Sequence, residues 1–170
     1  MNQHLERLEG LAPIIRTAAH RLIEQAETKL KQRLLVVHTW RSMASQLALY
    51  AEGRQYDRAS GEWVVVQPSA VRTKAKPGTS AHNVITRLGD RAALALDVIP
   101  LDDEGQPNWT IPDRFWDDLY DLAWRVGLDP LGDPIGSYLA GDKGHFEEPA
   151  WSLKLDGLGL ILPSPDLAQL

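Results

Sequence analysis

The 170-residue chain contains no cysteine. Disulfides, thiolate metal sites and a cysteine nucleophile are excluded together, so any metal must be held by nitrogen and oxygen. A long apolar run is missing too: none approaches the ~20 residues of a membrane span, and no membrane partner is expected. Nor is there an excess of positive charge. Eighteen Lys and Arg face 23 Asp and Glu, a formal net charge of −5. Without a basic face, nucleic acid is not an expected partner. The amino-terminal segment, Met1-Asn-Gln-His-Leu-Glu-Arg7, is polar and helical in character. It lacks the basic start and apolar centre of a signal peptide, so no export signal is expected.

What is present is ordinary for a globular protein: 44% hydrophobic and 24% charged residues. The length suits a single domain over residues 1–170, with enough chain to bury a core. Residues 3–31 carry apolar side chains every three or four positions, from Leu5 to Leu30, and read as a long amphipathic helix that Pro13 kinks or breaks. Leu34–Val37 reads as a buried strand. Ser42 caps a helix over about 43–52 that ends near Gly53. Trp63–Val66 is strand-like, and Lys74–Gly78 is a loop by its turn residues. Leu94–Ile99 reads as a strand with Ala95, Asp97 and Ile99 on one face. Pro112 starts a third helix, in its first turn, with a stripe of Phe115, Leu119, Leu122 or Ala123, and Val126, closed by Gly127. Strands and helices alternate without a βαβ rhythm, which favours an α+β fold: a small antiparallel sheet flanked by helices.

Chemistry concentrates in two segments, Ser80-Ala-His82 running on to Ala95-Leu-Asp97, and Asp142-Lys-Gly-His145-Phe-Glu147. They offer two imidazoles and a carboxylate as ligands, with a second carboxylate near the last. A catalytic zinc site has such parts: three protein ligands and a position left for water. Each residue alone is weak evidence, since a lone His is usually structural and a lone Asp usually a cap. Asp90 rivals Asp97 as ligand, and Glu147 and Glu148 rival Asp142 as the nearby carboxylate. His4 and His20 lie on the first helix and read as structural. His38 follows a strand near Arg41 and is a lesser candidate. Trp116 and Trp124 read as core; Trp109 and Trp151 read as rim residues of a cleft.

The order of these segments resembles the VanY-like and phage-endolysin zinc peptidases of the hedgehog/DD-peptidase fold. The resemblance rests on Trp40-Arg41-Ser42 with Gln46, Leu49-Tyr50-Ala51 with Gly53-Arg54, Thr73 to Asn83, Ala95-x-Asp97 and Asp142-x-x-His145. It spans roughly residues 5–150, and the most similar subgroup is the L-alanyl-D-glutamate peptidases used as phage endolysins. It implies zinc as cofactor, with His82, Asp97 and His145 as ligands. It implies Asp142 as catalytic acid/base, Arg41 facing the substrate carbonyl or carboxylate, and Ser80 as a hydroxyl lining the site. One departure stands out. Fifteen positions separate His82 from Asp97, about eight more than the pattern His-x-x-Gly-x-Ala-x-Asp. The extra residues, within Val84–Ala93, read as an enlarged loop beside the cleft.

The resemblance implies a monomeric zinc-dependent peptidase acting on the stem peptide of bacterial peptidoglycan. The expected bond is L-alanyl-D-glutamate, and the expected role is cell-wall lysis as a phage-type endolysin. Such a lysin would accumulate in the host cytoplasm and then reach the periplasm and wall, with no length to spare for a separate wall-binding domain. A D-alanyl-D-alanine carboxypeptidase or dipeptidase with the same site is the alternative of the same class. A non-catalytic zinc-binding module of the hedgehog kind is the alternative of another. A virion-associated lysin is not distinguished from an endolysin by sequence.

Overall fold

The computed structural model describes residues 7–130 and 142–164. Helix α1 spans Pro13–Lys29. The single long helix expected over 3–31 is therefore divided. A proline lacks the N–H of a helix interior and its ring collides with the carbonyl four residues back. The chain turns at Glu9-Gly10, and Pro13 restarts the helix at its first position. Residues 3–6 of the expected helix, and His4, lie outside the described residues. Ile15, Ala19, Leu22 and Ala26 form the buried stripe of α1.

A four-stranded antiparallel sheet carries the architecture. Its strands are β1 (Leu34–His38), β5 (Ala95–Pro100), β7 (His145–Glu147) and β6 (Asp129–Pro130), side by side in that order. Alternation along β5 sends Leu96, Val98 and Pro100 into the core and leaves Asp97 and Ile99 on the opposite face. Helix α1 and helix α3 (Asp113–Val126) pack with the sheet around Leu22, Val36, Leu96, Leu119 and Phe146. Pro112 occupies the capping position of α3, one residue before the expected first turn, and Gly127 closes the helix at φ 90°. Trp116 is buried as expected. Trp124 is not a core residue: its position turns it away from the Leu119–Ala123 stripe, and it is 45% exposed.

Helix α2 (Met43–Ala51) starts as the sequence predicts, with the Ser42 hydroxyl accepting from the backbone N–H of Ser45. A hairpin follows, β2 (Arg54–Asp57) and β3 (Glu62–Val65). The insertion Val84–Ala93 is more than an enlarged loop. Ile85–Thr86 (β4) pairs with Leu160–Ile161 (β8), and Val84, Ala92 and Ala93 are buried in the core. The solvated part is the tip, where Leu88 is exposed. Short helix α4 (Trp151–Lys154) lies between β7 and β8. No helix among the described residues is long and apolar enough to cross a membrane.

Candidate metal centre

Antiparallel register brings two of the predicted ligands together. Asp97 on β5 lies directly opposite His145 on β7, and cross-strand partners present side chains to the same face. The close approach depends on Gly144. Its carbonyl accepts from the N–H of Val98 at 2.9 Å, and a Cβ at Gly144 would collide with the Val98 carbonyl. His82 arrives from a separate element, a single 3₁₀ turn over Ala81–Asn83. The Ser80 hydroxyl accepts from the His82 N–H, and the backbone on either side is tied down by Leu94 N–H to Ala81 O and Arg41 N–H to His82 O.

His82 Nε2, Asp97 Oδ1 and His145 Nδ1 form a triangle. The separations are 3.3 Å from His82 Nε2 to His145 Nδ1, 3.3 Å from His82 Nε2 to Asp97 Oδ1, and 2.9 Å from His145 Nδ1 to Asp97 Oδ1. Zinc bonds of about 2.0–2.2 Å at tetrahedral angles set donor atoms ~3.3–3.5 Å apart. The triangle matches that spacing within a few tenths of an ångström, and its two nitrogens and one oxygen suit zinc. Among the described residues, this is the group of His, Asp and Glu side chains arranged to hold a metal ion. Asp90, the rival candidate, instead sits at the exposed tip of the insertion, hydrogen-bonded to Thr86.

The outer partners fix each ligand. His82 Nδ1 is hydrogen-bonded to the Thr39 carbonyl, so Nδ1 carries the proton and Nε2 keeps its lone pair. His145 Nε2 meets Glu147 Oε2 at 3.3 Å, which leaves Nδ1 as the inward donor. Glu147 therefore orients the His145 ring, and Glu148 is buried and engaged with Lys154. Asp97 Oδ2 meets Arg41 Nη2 at 3.2 Å and His38 Nδ1 at 3.5 Å. Arg41 Nη1 also donates to Gln46 Oε1, and the fully buried Gln46 donates in turn to the Ala75 carbonyl. Buried Asn83 donates to the Arg41 carbonyl and accepts from Gly78 N–H. These amides pin the Thr73–Ser80 loop to the site.

Without a metal ion, the electrostatics are those of a carboxylate among imidazoles. Burial opposes ionisation of Asp97, but the field of His82 and hydrogen bonds from His145, His38 and His82 hold its carboxyl well below the usual range. Burial also opposes the charge on His145. The carboxylates of Asp97 and Glu147 outweigh it and push the imidazole up to about 10. Asp142 responds differently. Partial dehydration raises its carboxyl above 3.8; His145, His82 and Arg41 pull it down and Asp97 pushes it up.

The triangle lies at the floor of a cleft with two lobes. One, of about 560 Å³, is lined by Arg41, Arg72, Thr73, Ser80 and Trp151 among others. The second, of about 570 Å³, is lined by Val37, Ile99, Ile111, Trp116 and Lys143 among others. His38, Asp97, Trp109 and Asp142 belong to both, so the lobes meet at the ligand group. Asp142 is exposed to solvent at that junction. Trp109 and Trp151 both line the cleft, and Trp109 is 73% exposed. No residue of Val84–Ala93 lines either lobe, so the insertion does not border the cleft. Its strand β4 pairs with β8 instead. His38 is the site residue that sequence underweighted; its register opposite Asp97 is visible only once the sheet forms.

No family model matches the chain, and no curated protein matches it. Solved structures do. A VanY D,D-pentapeptidase from a VanB-type vancomycin-resistance cassette, in complex with Zn(II), aligns with TM-score 0.54 and 17% identity over 81% of this chain and 72% of its own. VanYB in complex with D-alanine-D-alanine aligns at 0.55 and 19% over 89% and 80%. The Serratia marcescens L-Ala D-Glu endopeptidase ChiX aligns at 0.51 and 17% over 89% and 90%. The chain has the VanY peptidase fold. The expected α+β class, with its small antiparallel sheet and flanking helices, is therefore the observed one.

Proposed function

We propose that the chain is a zinc-dependent peptidase of the bacterial cell-wall stem peptide. The observation that carries this is the His82–Asp97–His145 triangle, with zinc-compatible spacing, at the meeting point of two cleft lobes. Zinc held there supplies Lewis-acid activation of a carbonyl and of a water.

The protein's own residues do the rest. Asp142, exposed beside the triangle, takes a proton from the attacking water and delivers it to the leaving amine. Arg41 holds Asp97 in place through its Oδ2, and its guanidinium adds positive charge where negative charge develops on the scissile carbonyl oxygen. Ser80 holds the His82 turn and presents a hydroxyl at the cleft wall.

The bond we favour is L-alanyl-D-glutamate. Space on both sides of the ligand group suits a cut within a peptide, and Arg41 and Arg72 add positive charge to one lobe. The role that goes with it is that of a monomeric phage-type endolysin, made in the host cytoplasm and acting on the wall. Synthetic stem peptides decide the bond. Cleavage of a peptide with an internal L-alanyl-D-glutamate bond into a fragment ending in L-alanine and one with a new amino-terminal D-glutamate supports the endopeptidase. Removal of only terminal D-alanine from a D-alanyl-D-alanine peptide moves the assignment to a carboxypeptidase.

A further inference from the structure

His38 owes its position to an irregularity in the sheet. Strand β1 pairs Val36 with Val98, but the next pair is His38 with Asp97. Val37 is the extra residue of a β-bulge. Without the bulge, strict alternation would place His38 on the same face as buried Leu34 and Val36, opposite Leu96. With it, His38 turns to the face of Asp97 and His145. Bulges re-aim side chains in this way beside functional sites.

The re-aimed ring has a definite target. Its Nδ1 stands 3.5 Å from Asp97 Oδ2, the oxygen that Arg41 Nη2 also meets at 3.2 Å. Asp97 Oδ1 is the oxygen that faces His82 and His145. We infer that His38 is a positioning residue that, with Arg41, holds Oδ2 of Asp97 and so offers Oδ1 alone to a metal ion. Two donors approach Oδ2 from different elements, the end of β1 and the segment before α2. Together they fix the carboxylate's rotation as well as its position. Neutral imidazole with its proton on Nδ1 suffices, so the role needs no change of charge. Outer partners of this kind typically tune metal affinity by about 10–100-fold. The inference rests on the triangle being a metal site.

The test compares the full-length wild type with His38→Ala, His38→Phe and His38→Asn. Zinc affinity is measured by competition with a chromophoric chelator, and geometry by the visible spectrum of the cobalt(II)-loaded proteins. His38→Ala and His38→Phe should weaken zinc about tenfold and alter the cobalt bands, with circular dichroism of the metal-free proteins unchanged. His38→Asn returns an N–H close to the Nδ1 position and should recover most of the loss. Phe keeps the ring volume, so it reads the lost donor even if the Ala variant folds poorly. Wild-type zinc affinity and cobalt spectra in the variants would overturn the role of His38 while leaving the metal site intact. A wild type that binds no zinc would overturn the metal site as well.

Discussion

The imidazole of His82 is hydrogen-bonded through Nδ1 to the backbone carbonyl of Thr39, which leaves Nε2 pointing at Asp97 and His145. A residue 43 positions away thus sets the tautomer of a predicted ligand. Because the acceptor is backbone, the constraint is built into the path of the chain between β1 and α2. Substituting His82 or His145 by Ala should remove bound zinc and activity together. Metal analysis of the purified variants checks this, and full zinc stoichiometry in either would refute the ligand assignment.

Asp142→Asn should behave differently. The carboxylate lies outside the triangle, so zinc content should stay at wild type while hydrolysis falls ~10²–10⁴-fold. Loss of the metal in this variant would instead make Asp142 a ligand.

Proton competition sets the pH dependence. In the metal-free protein His145 titrates at about 10, above its ordinary 6.5. A raised folded pKa stabilises the fold fully below the unfolded value, and that stability is lost as pH rises through the folded one. The metal-free protein should therefore lose stability between about pH 6.5 and 10 on account of His145. Asp97 acts at the other end. Its depressed pKa gives stability that is present above 3.8 and lost as pH falls through the folded value. Zinc must displace the His145 proton, so binding near pH 8 should release about one proton. Calorimetry in buffers of different ionisation enthalpy measures that release, and a heat independent of buffer would contradict the coupling.

Gly144→Ala should destabilise by ~1–3 kcal/mol, because the added methyl meets the Val98 carbonyl and the β5–β7 pairing must open to admit it. The same shift moves His145 away from Asp97, so zinc should weaken in parallel. Denaturant unfolding and chelator competition read the two effects separately. A neutral outcome in both would show that the strands accommodate the methyl without separating.

The insertion divides into a tip and a base. Trimming Arg87–Asp90 at the solvated tip should leave zinc binding and stem-peptide cleavage intact, since none of these residues reaches the cleft. Val84→Ala, at the buried base, should cost ~1–3 kcal/mol of stability. Altered substrate preference on trimming the tip would mean that substrate extends beyond the two lobes.

Much of this was legible in the sequence, for identifiable reasons. The α2 cap at Ser42, the Gly127 stop and the alternation of β5 are local signals read from side-chain chemistry alone. The gathering of His82, Asp97 and His145 could be expected from the order of their segments, although the pairing that achieves it spans 48 residues between Asp97 and His145. Strand β2, Arg54–Asp57, is polar and half exposed, so no hydrophobic pattern announced it. The β4–β8 pair joins two-residue strands 76 positions apart at Ile85 and Ile161, below what periodicity resolves. Orientation of His38 depended on the bulge, and strict alternation would have sent it the wrong way.

The most direct test of the account is digestion of isolated peptidoglycan by the purified protein, as prepared, after chelation, and after chelation with zinc restored. New amino termini should appear, vanish with the chelator and return with zinc, and Asp142→Asn should release none. A zinc-loaded protein that frees no peptide from the wall would contradict it and identify the His82–Asp97–His145 group as a structural metal site.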